Sequence, residues 1–149
     1  MSRKWFNNMV PKKENSVNDE LLKSYSVNTV KNYIKHFDSY ELDLAANEIL
    51  DFAIKINLYL NEKQPWILIK DIKNVSIVSN IIYNVLESTR IIGLLLLPLL
   101  PDLSKNIDSQ LGSLYKQEKS WNDQLGWGLL KHESILPCPT PIINKLEYE

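Results

Sequence analysis

The stretch Leu42 to Leu60, LDLAANEILDFAIKINLYL, sets the fold class. Its apolar residues Leu42, Ala45, Ala46, Ile49, Ala53, Ile56 and Leu60 step by three and four, which lays them along one side of an α-helix. Asp38 or Ser39 can cap its start. No run in the chain alternates convincingly with period two. Four glycines in 149 residues are too few for a loop-rich or all-β architecture. The expectation is an all-α helical bundle.

Toward the N-terminus, Ser16 followed by Asp19 forms a plausible capping pair for a helix running to about His36. Its apolar positions are Leu22, Tyr25, Val30, Tyr33 and Phe37. Ser2 to Met9 reads as the end of an earlier helix, closed by Val10-Pro11. With no cap before it, that first helix is expected to be incomplete. Toward the C-terminus, a connection over Asn61–Pro65 leads into a short helix from Trp66 to about Ile72, with proline in the favoured first turn. Asn74 or Ser76 starts a long helix with Val78, Ile81, Ile82, Val85, Leu86 and Thr89 on one side. It turns apolar all round at Ile91–Leu97, which marks the expected bundle centre. Pro98 and Pro101 stop it, and Asp102 can cap a further helix to about Leu111, ended by Gly112. Short connections imply mostly antiparallel neighbours. The division expected is a helical bundle over residues 1–114 and an irregular C-terminal strap over 115–149.

Composition narrows the function classes. A chain of this length can bury roughly 65–70% of its unfolded surface, enough for a real core. The single cysteine, Cys138, has no partner for an internal disulfide and suits a reducing cytosol. His36 and His132 lie far apart and show no metal-ligand spacing. The longest apolar run, Ile91 to Leu100, spans ten residues, whereas a membrane-crossing helix needs about 20. Charge is uneven: residues 1–36 carry seven Lys/Arg against three acids, and the remainder ten against fifteen. That is a weak pointer to an anionic partner near the N-terminal part, beside the simpler reading of a solvated helix face.

No Gly-rich phosphate loop, no CxxC or HxxxH metal pattern and no nucleophile with an identifiable base is present. The residues point to binding instead. Trp66, directly after Pro65, is the sharp candidate, because single-stranded RNA is read by bases that stack on aromatic rings. Lys70, four residues on, is expected on the same face, where it can meet a phosphate. Gln64 and Asn57 offer amides that can fix the loop or touch a base. The competing reading makes Trp66 a wedge packed between the third and fourth helices. For Asn57 the preferred reading is a half-buried brace hydrogen-bonded to the backbone of the Asn61–Pro65 connection. Tyr59, Tyr33, Trp5 and Trp121 read as packing residues. His36 reads as a helix C-terminal residue that favours the dipole when protonated.

At Asn57–Lys70 the chain resembles the anticodon-binding domain of methionyl-tRNA synthetases, which carries A-N-x-Y, a short spacer and P-W-x-x-x-K. Asn57, Tyr59, Pro65, Trp66 and Lys70 fall in step, with Ile56 replacing the usual alanine. Leu97-Pro98 with Pro101, Leu111-Gly112, Trp121, Gly128 and Leu136-Pro137 follow in the family's order. Lys145-Leu146-Glu147 is similar to its closing segment, and Arg3–Pro11 to the end of its first helix. The likeness covers essentially the whole chain.

The resemblance implies a bundle of the class I aminoacyl-tRNA synthetase type that recognises the CAU anticodon of methionine tRNA. In that family the tryptophan after the proline contacts the first anticodon base, a role that falls on Trp66. The family's asparagine and arginine in N-x-x-x-R would lie just before Met1. The catalytic domain, with its HIGH and KMSKS motifs, is expected to be a separate partner. ATP, with magnesium or zinc, is implied for that domain only, and no cofactor for this chain. Cys138 stands where the family has phenylalanine, which implies looser docking of the tail. Two alternatives stay open: a helical protein-interaction module, and the related helical domain of another class I synthetase such as the cysteinyl or leucyl enzyme.

Overall fold

A computed structural model describes residues 1–14 and 19–141. The expected closing segment Lys145–Glu147 and the Ser16 cap lie outside the described residues. Within them the chain forms α1 (Ser2–Trp5), α2 (Leu21–Asp38), α3 (Leu42–Lys63), α4 (Pro65–Leu68), a 3-10 turn at Ile72–Asn74, α5 (Val75–Leu96), α6 (Pro101–Gln110) and α7 (Trp121–Gln124). The all-α expectation holds. The sole strand-like feature among the described residues is an isolated antiparallel pairing of Met9 with Ile135. There the chain after α1 ends in two left-handed residues, Asn7 and Asn8, rather than continuing as helix to Met9.

Helices α2 and α3 pair along their lengths, α5 lies against both, and α6 packs back on α5. Leu22 and Tyr33 of α2, Ala45, Ile49, Phe52, Ile56 and Tyr59 of α3, and Ile81, Ile91, Leu94 and Leu95 of α5 build the main core. The buried stripe of α3 is therefore rotated from the expected one. Phe52 and Tyr59 replace Ala53 and Leu60, and Leu42 is about half exposed. The physical reason is that α3 carries apolar side chains nearly all round, including the exposed Leu50, Ile54 and Leu58. Several stripes satisfy the helical period, and the one with most aromatic area to bury wins.

Gly93 fixes the approach of α6 to α5. A β-carbon there would meet Ile107 Cγ2 at 3.0 Å, and the Ser104 hydroxyl donates to the Gly93 carbonyl at 2.6 Å. Beside this contact, the half-buried Val85, Leu86 and Thr89 join Ile82, Ile107 and Leu111 along an open apolar groove of about 320 Å³. Sequence periodicity placed those α5 residues on the apolar side of the helix. Here they are only partly covered.

The long helix α5 also carries a buried polar series that the apolar pattern hides. Asn80 exchanges hydrogen bonds with the Glu14 backbone, donating at 2.9 Å and accepting at 2.6 Å. Asn84 donates to the Asp19 carbonyl at 3.2 Å. Asp19 is no simple cap: its carboxylate accepts from the Tyr59 hydroxyl at 2.8 Å and pairs with Lys63 at 3.1 Å.

Glu87, fully buried, accepts from Arg90 Nε and Nη2 at 2.9 and 2.7 Å. The same carboxylate accepts from the backbone N–H groups of Gly128, Leu129 and Leu130 at 2.7–3.1 Å. Arg90 in turn donates to the carbonyls of Gln124 and Gly126, both at 2.6 Å. The strap is thereby bound to α5 by charge-assisted bonds, and Leu125, Leu130 and Leu136 enter the cores beside it. The Trp121 indole adds a bond to the Leu94 carbonyl at 2.9 Å.

Two measurements check this account. Glu87→Leu should cost about 3–5 kcal/mol in urea unfolding, because it strands a buried guanidinium. It should also speed tryptic cleavage around Lys116–Lys131, and a cost below about 1 kcal/mol would contradict the ion pair's role. Burial pushes the Tyr33 and Tyr83 phenols up to about 12 and raises that of Tyr59. Folded values above the ordinary 10 mean that this stabilisation is complete below about pH 10 and is lost as pH rises through about 12. Helical circular dichroism should collapse over that interval as tyrosinate absorbance rises. Ionisation of these phenols ahead of unfolding would contradict it.

Candidate nucleic-acid interface

The corner around Trp66 is built from the end of α3. That helix does not stop at Leu60 but continues to Lys63, so the expected five-residue connection shrinks to one residue, Gln64. Gln64 takes a left-handed conformation, φ 47° and ψ 56°. Its N–H donates to the Leu60 carbonyl at 3.0 Å, and its own carbonyl accepts from Ile67 at 2.9 Å and Leu68 at 3.3 Å. For a residue other than glycine this conformation costs about 1–2 kcal/mol. The following proline adds a preference for extended backbone.

Pro65 then opens α4 and is buried, while Trp66 beside it remains 42% exposed. The wedge role that sequence offered to the tryptophan thus belongs to the proline. Trp66 therefore stands partly exposed at the surface. Ile67 and Ile72, close by in sequence, are also exposed, the latter at 85%. Sequence reading passed over both, as well as Lys73. An isoleucine in a 3-10 turn with no periodic partner was the available signal for Ile72.

The other expected site residues fall as follows. Lys70 is exposed, but α4 ends at Leu68, so Lys70 sits in the ensuing turn rather than one turn along Trp66's helix. Asp71 caps the 3-10 turn by accepting from the Lys73 N–H at 3.0 Å. Among the described residues Lys70 and Lys73 form no ion pair, whereas Lys63 is held by Asp19. Gln64 is exposed, and its amide makes no hydrogen bond among the described residues. Asn57 is exposed as well and braces nothing there. The brace reading fails because α3 runs unbroken past it, leaving no connection backbone to satisfy.

The basic N-terminal part is partly neutralised. Lys23 and Lys13 pair with Glu20 at 2.7 and 3.8 Å, and the hydrogen bond from Lys23 holds the Glu20 carboxyl below the usual range. His36 sits near the end of α2 as expected, with Nδ1 2.7 Å from Glu41 Oε2. Cys138 is exposed, with Arg3 Nη1 3.8 Å from its sulfur. Among the described residues no group of three or more His, Cys, Asp or Glu side chains is arranged to hold a metal ion. No helix among the described residues is long and apolar enough to cross a membrane.

With this geometry in hand, comparison with known proteins is direct. Residues 10–147 match the family model described as the anticodon binding domain of methionyl tRNA ligase. The chain belongs to that family. The methionine–tRNA ligase of Thermotoga maritima is 30% identical over 99% of this chain and 23% of its own length. That of Bacillus subtilis is 28% identical over 100% and 23%. Among solved structures, the free form of Mycobacterium tuberculosis methionyl-tRNA synthetase gives a TM-score of 0.87 at 24% identity, covering all of this chain and 30% of that one. The same enzyme with methionyl-adenylate gives 0.86 at 25%, covering 97% and 28%.

The methionyl member is thus selected over the cysteinyl and leucyl alternatives. The anticodon-binding domain spans about a quarter of the length of the curated relatives it matches.

If Trp66 stands outside the core, Trp66→Ala should lower thermal or urea stability by only about 1 kcal/mol, against the 3–5 kcal/mol typical of a buried tryptophan. A loss in the latter range would restore the wedge reading.

Proposed function

We propose that this domain recognises the anticodon loop of methionine tRNA by stacking its first base, the C of CAU, on Trp66. The observation that carries the reading is a tryptophan left open on a corner that is otherwise rigid. Pro65 is packed inward, α3 is closed by Gln64, and Asp71 caps the next turn. A preorganised ring loses little freedom when a base lies on it, so most of the stacking energy is kept as affinity. Exposed Lys70 and Lys73 lie within seven residues and can meet the phosphates on either side of the stacked base. Gln64 and Asn57 present amides to solvent rather than to the fold, which suits contacts to base edges. Ile67 and Ile72 extend the apolar rim.

In this reading the attachment of methionine with ATP belongs to the part of the relatives that this chain does not span. The domain's task within such an enzyme is tRNA selection, and a cytoplasmic setting follows from that task.

Titration with a CAU stem-loop against a scrambled-anticodon loop tests the proposal. Preferential binding of CAU should fall by roughly 5- to 150-fold in Trp66→Ala, as expected for loss of a stack worth about 1–3 kcal/mol. Lys70→Ala should weaken both loops alike and flatten the salt dependence. Unchanged CAU affinity in Trp66→Ala would sink the assignment. Equal, salt-sensitive binding of both loops would leave phosphate attraction alone.

A further inference from the structure

We propose that Gln64 is the positioning residue of this site, and that its left-handed backbone rather than its amide sets where Trp66 stands. The inference rests on the reading of Trp66 as the RNA-contacting ring and deepens it. Between the last turn of α3 and the α-carbon of Trp66, the soft torsions are the φ and ψ of Gln64 and the ψ of Pro65. Peptide planarity and the proline ring remove the rest. Pro65 is buried and begins α4, so its ψ is held helical. The direction of α4 relative to α3 is therefore decided at Gln64.

Both backbone groups of Gln64 are committed to that geometry. The N–H closes α3 on Leu60 and the carbonyl starts α4 through Ile67 and Leu68. No second linker residue exists to absorb a change. With an extended Gln64, which a residue before proline ordinarily prefers, the N–H would leave Leu60 and α4 would swing with its tryptophan.

The side chain gives no competing reason for the residue's presence. It is exposed and caps neither helix. What position 64 requires is a residue that can be held at φ 47°. Glycine and asparagine do this readily, alanine and glutamine at moderate cost, and β-branched residues poorly.

The test compares Gln64→Gly, Gln64→Asn, Gln64→Ala and Gln64→Val in the full chain. Each is assayed for CAU stem-loop binding at a temperature where circular dichroism shows the bundle intact. Trp66 accessibility is read in parallel as the iodide-quenchable fluorescence lost when Trp66→Phe is added to each variant. The glycine, asparagine and alanine variants should bind within about 3-fold of the parent, and glycine should raise Tm. The valine variant should bind about 10-fold or more weakly, the scale of one lost stack, with an altered Trp66 quenching signal. Equal losses in glycine and alanine would overturn the proposal in favour of the amide. Parent-like binding and quenching in valine would overturn it outright.

Should Trp66→Ala itself leave RNA binding unchanged, the stacking role fails. The quenching series then still decides whether Gln64 aims the ring. A valine variant with the parent's Trp66 quenching overturns the positioning role, and an altered one sustains it.

Discussion

A buried carboxylate with five donors around it holds this domain together. Glu87 lies on the most apolar helix of the chain, yet it is completely covered by Arg90 and by three consecutive backbone N–H groups of the strap. A carboxylate removed from water is expensive unless its lone pairs are filled. The arrangement is therefore close to all-or-none. With the strap in place every group is satisfied. With the strap displaced, Glu87 and Arg90 face each other beside an opened core. Leu125, Leu130 and Leu136 lie in the segment this network anchors, so hydrophobic closure of both clusters depends on it. Specificity of docking comes from charge, and most of the energy from the apolar area that docking buries.

The corner at Gln64–Trp66 obeys a different logic. It spends local backbone strain at Gln64 to turn the chain within one residue, and it fills the inside of the turn with Pro65 instead of the larger ring. Strain of this kind persists only where surrounding structure over-determines it. Here that structure is the 22-residue α3, whose C-terminal carbonyl at Leu60 is satisfied by the strained residue itself. Rigidity at the base of the corner and exposure at its tip are thus products of one turn.

Much of this was legible in the residues. Periodicity places the helices within a few residues of where they fall, with Pro98, Pro101 and Gly112 as punctuation, and the motif around Pro65-Trp66 singles out the corner. The errors share a cause. Where a helix is apolar on several sides, as α3 and α5 are, spacing names several equivalent stripes, and only packing against neighbours chooses among them. Phe52 was passed over for Ala53, Tyr59 was read as a packing residue but left out of the stripe, and Val85, Leu86 and Thr89, read as one side of α5, are only partly covered. The α3 boundary was misjudged by one turn, and that misplaced both the supposed loop at Asn61–Pro65 and the brace assigned to Asn57.

The sequence alone determined an all-α bundle, its helix order, and a tryptophan at a proline-marked junction, because these follow from local period and local backbone chemistry. Tertiary structure decided that Pro65 is buried while Trp66 is open. It also decided that Gln64 is the whole connection, and that Glu87 and Arg90 fasten a strap some forty residues away. Those outcomes depend on which surfaces exclude water from one another, and no spacing along a single helix contains that information.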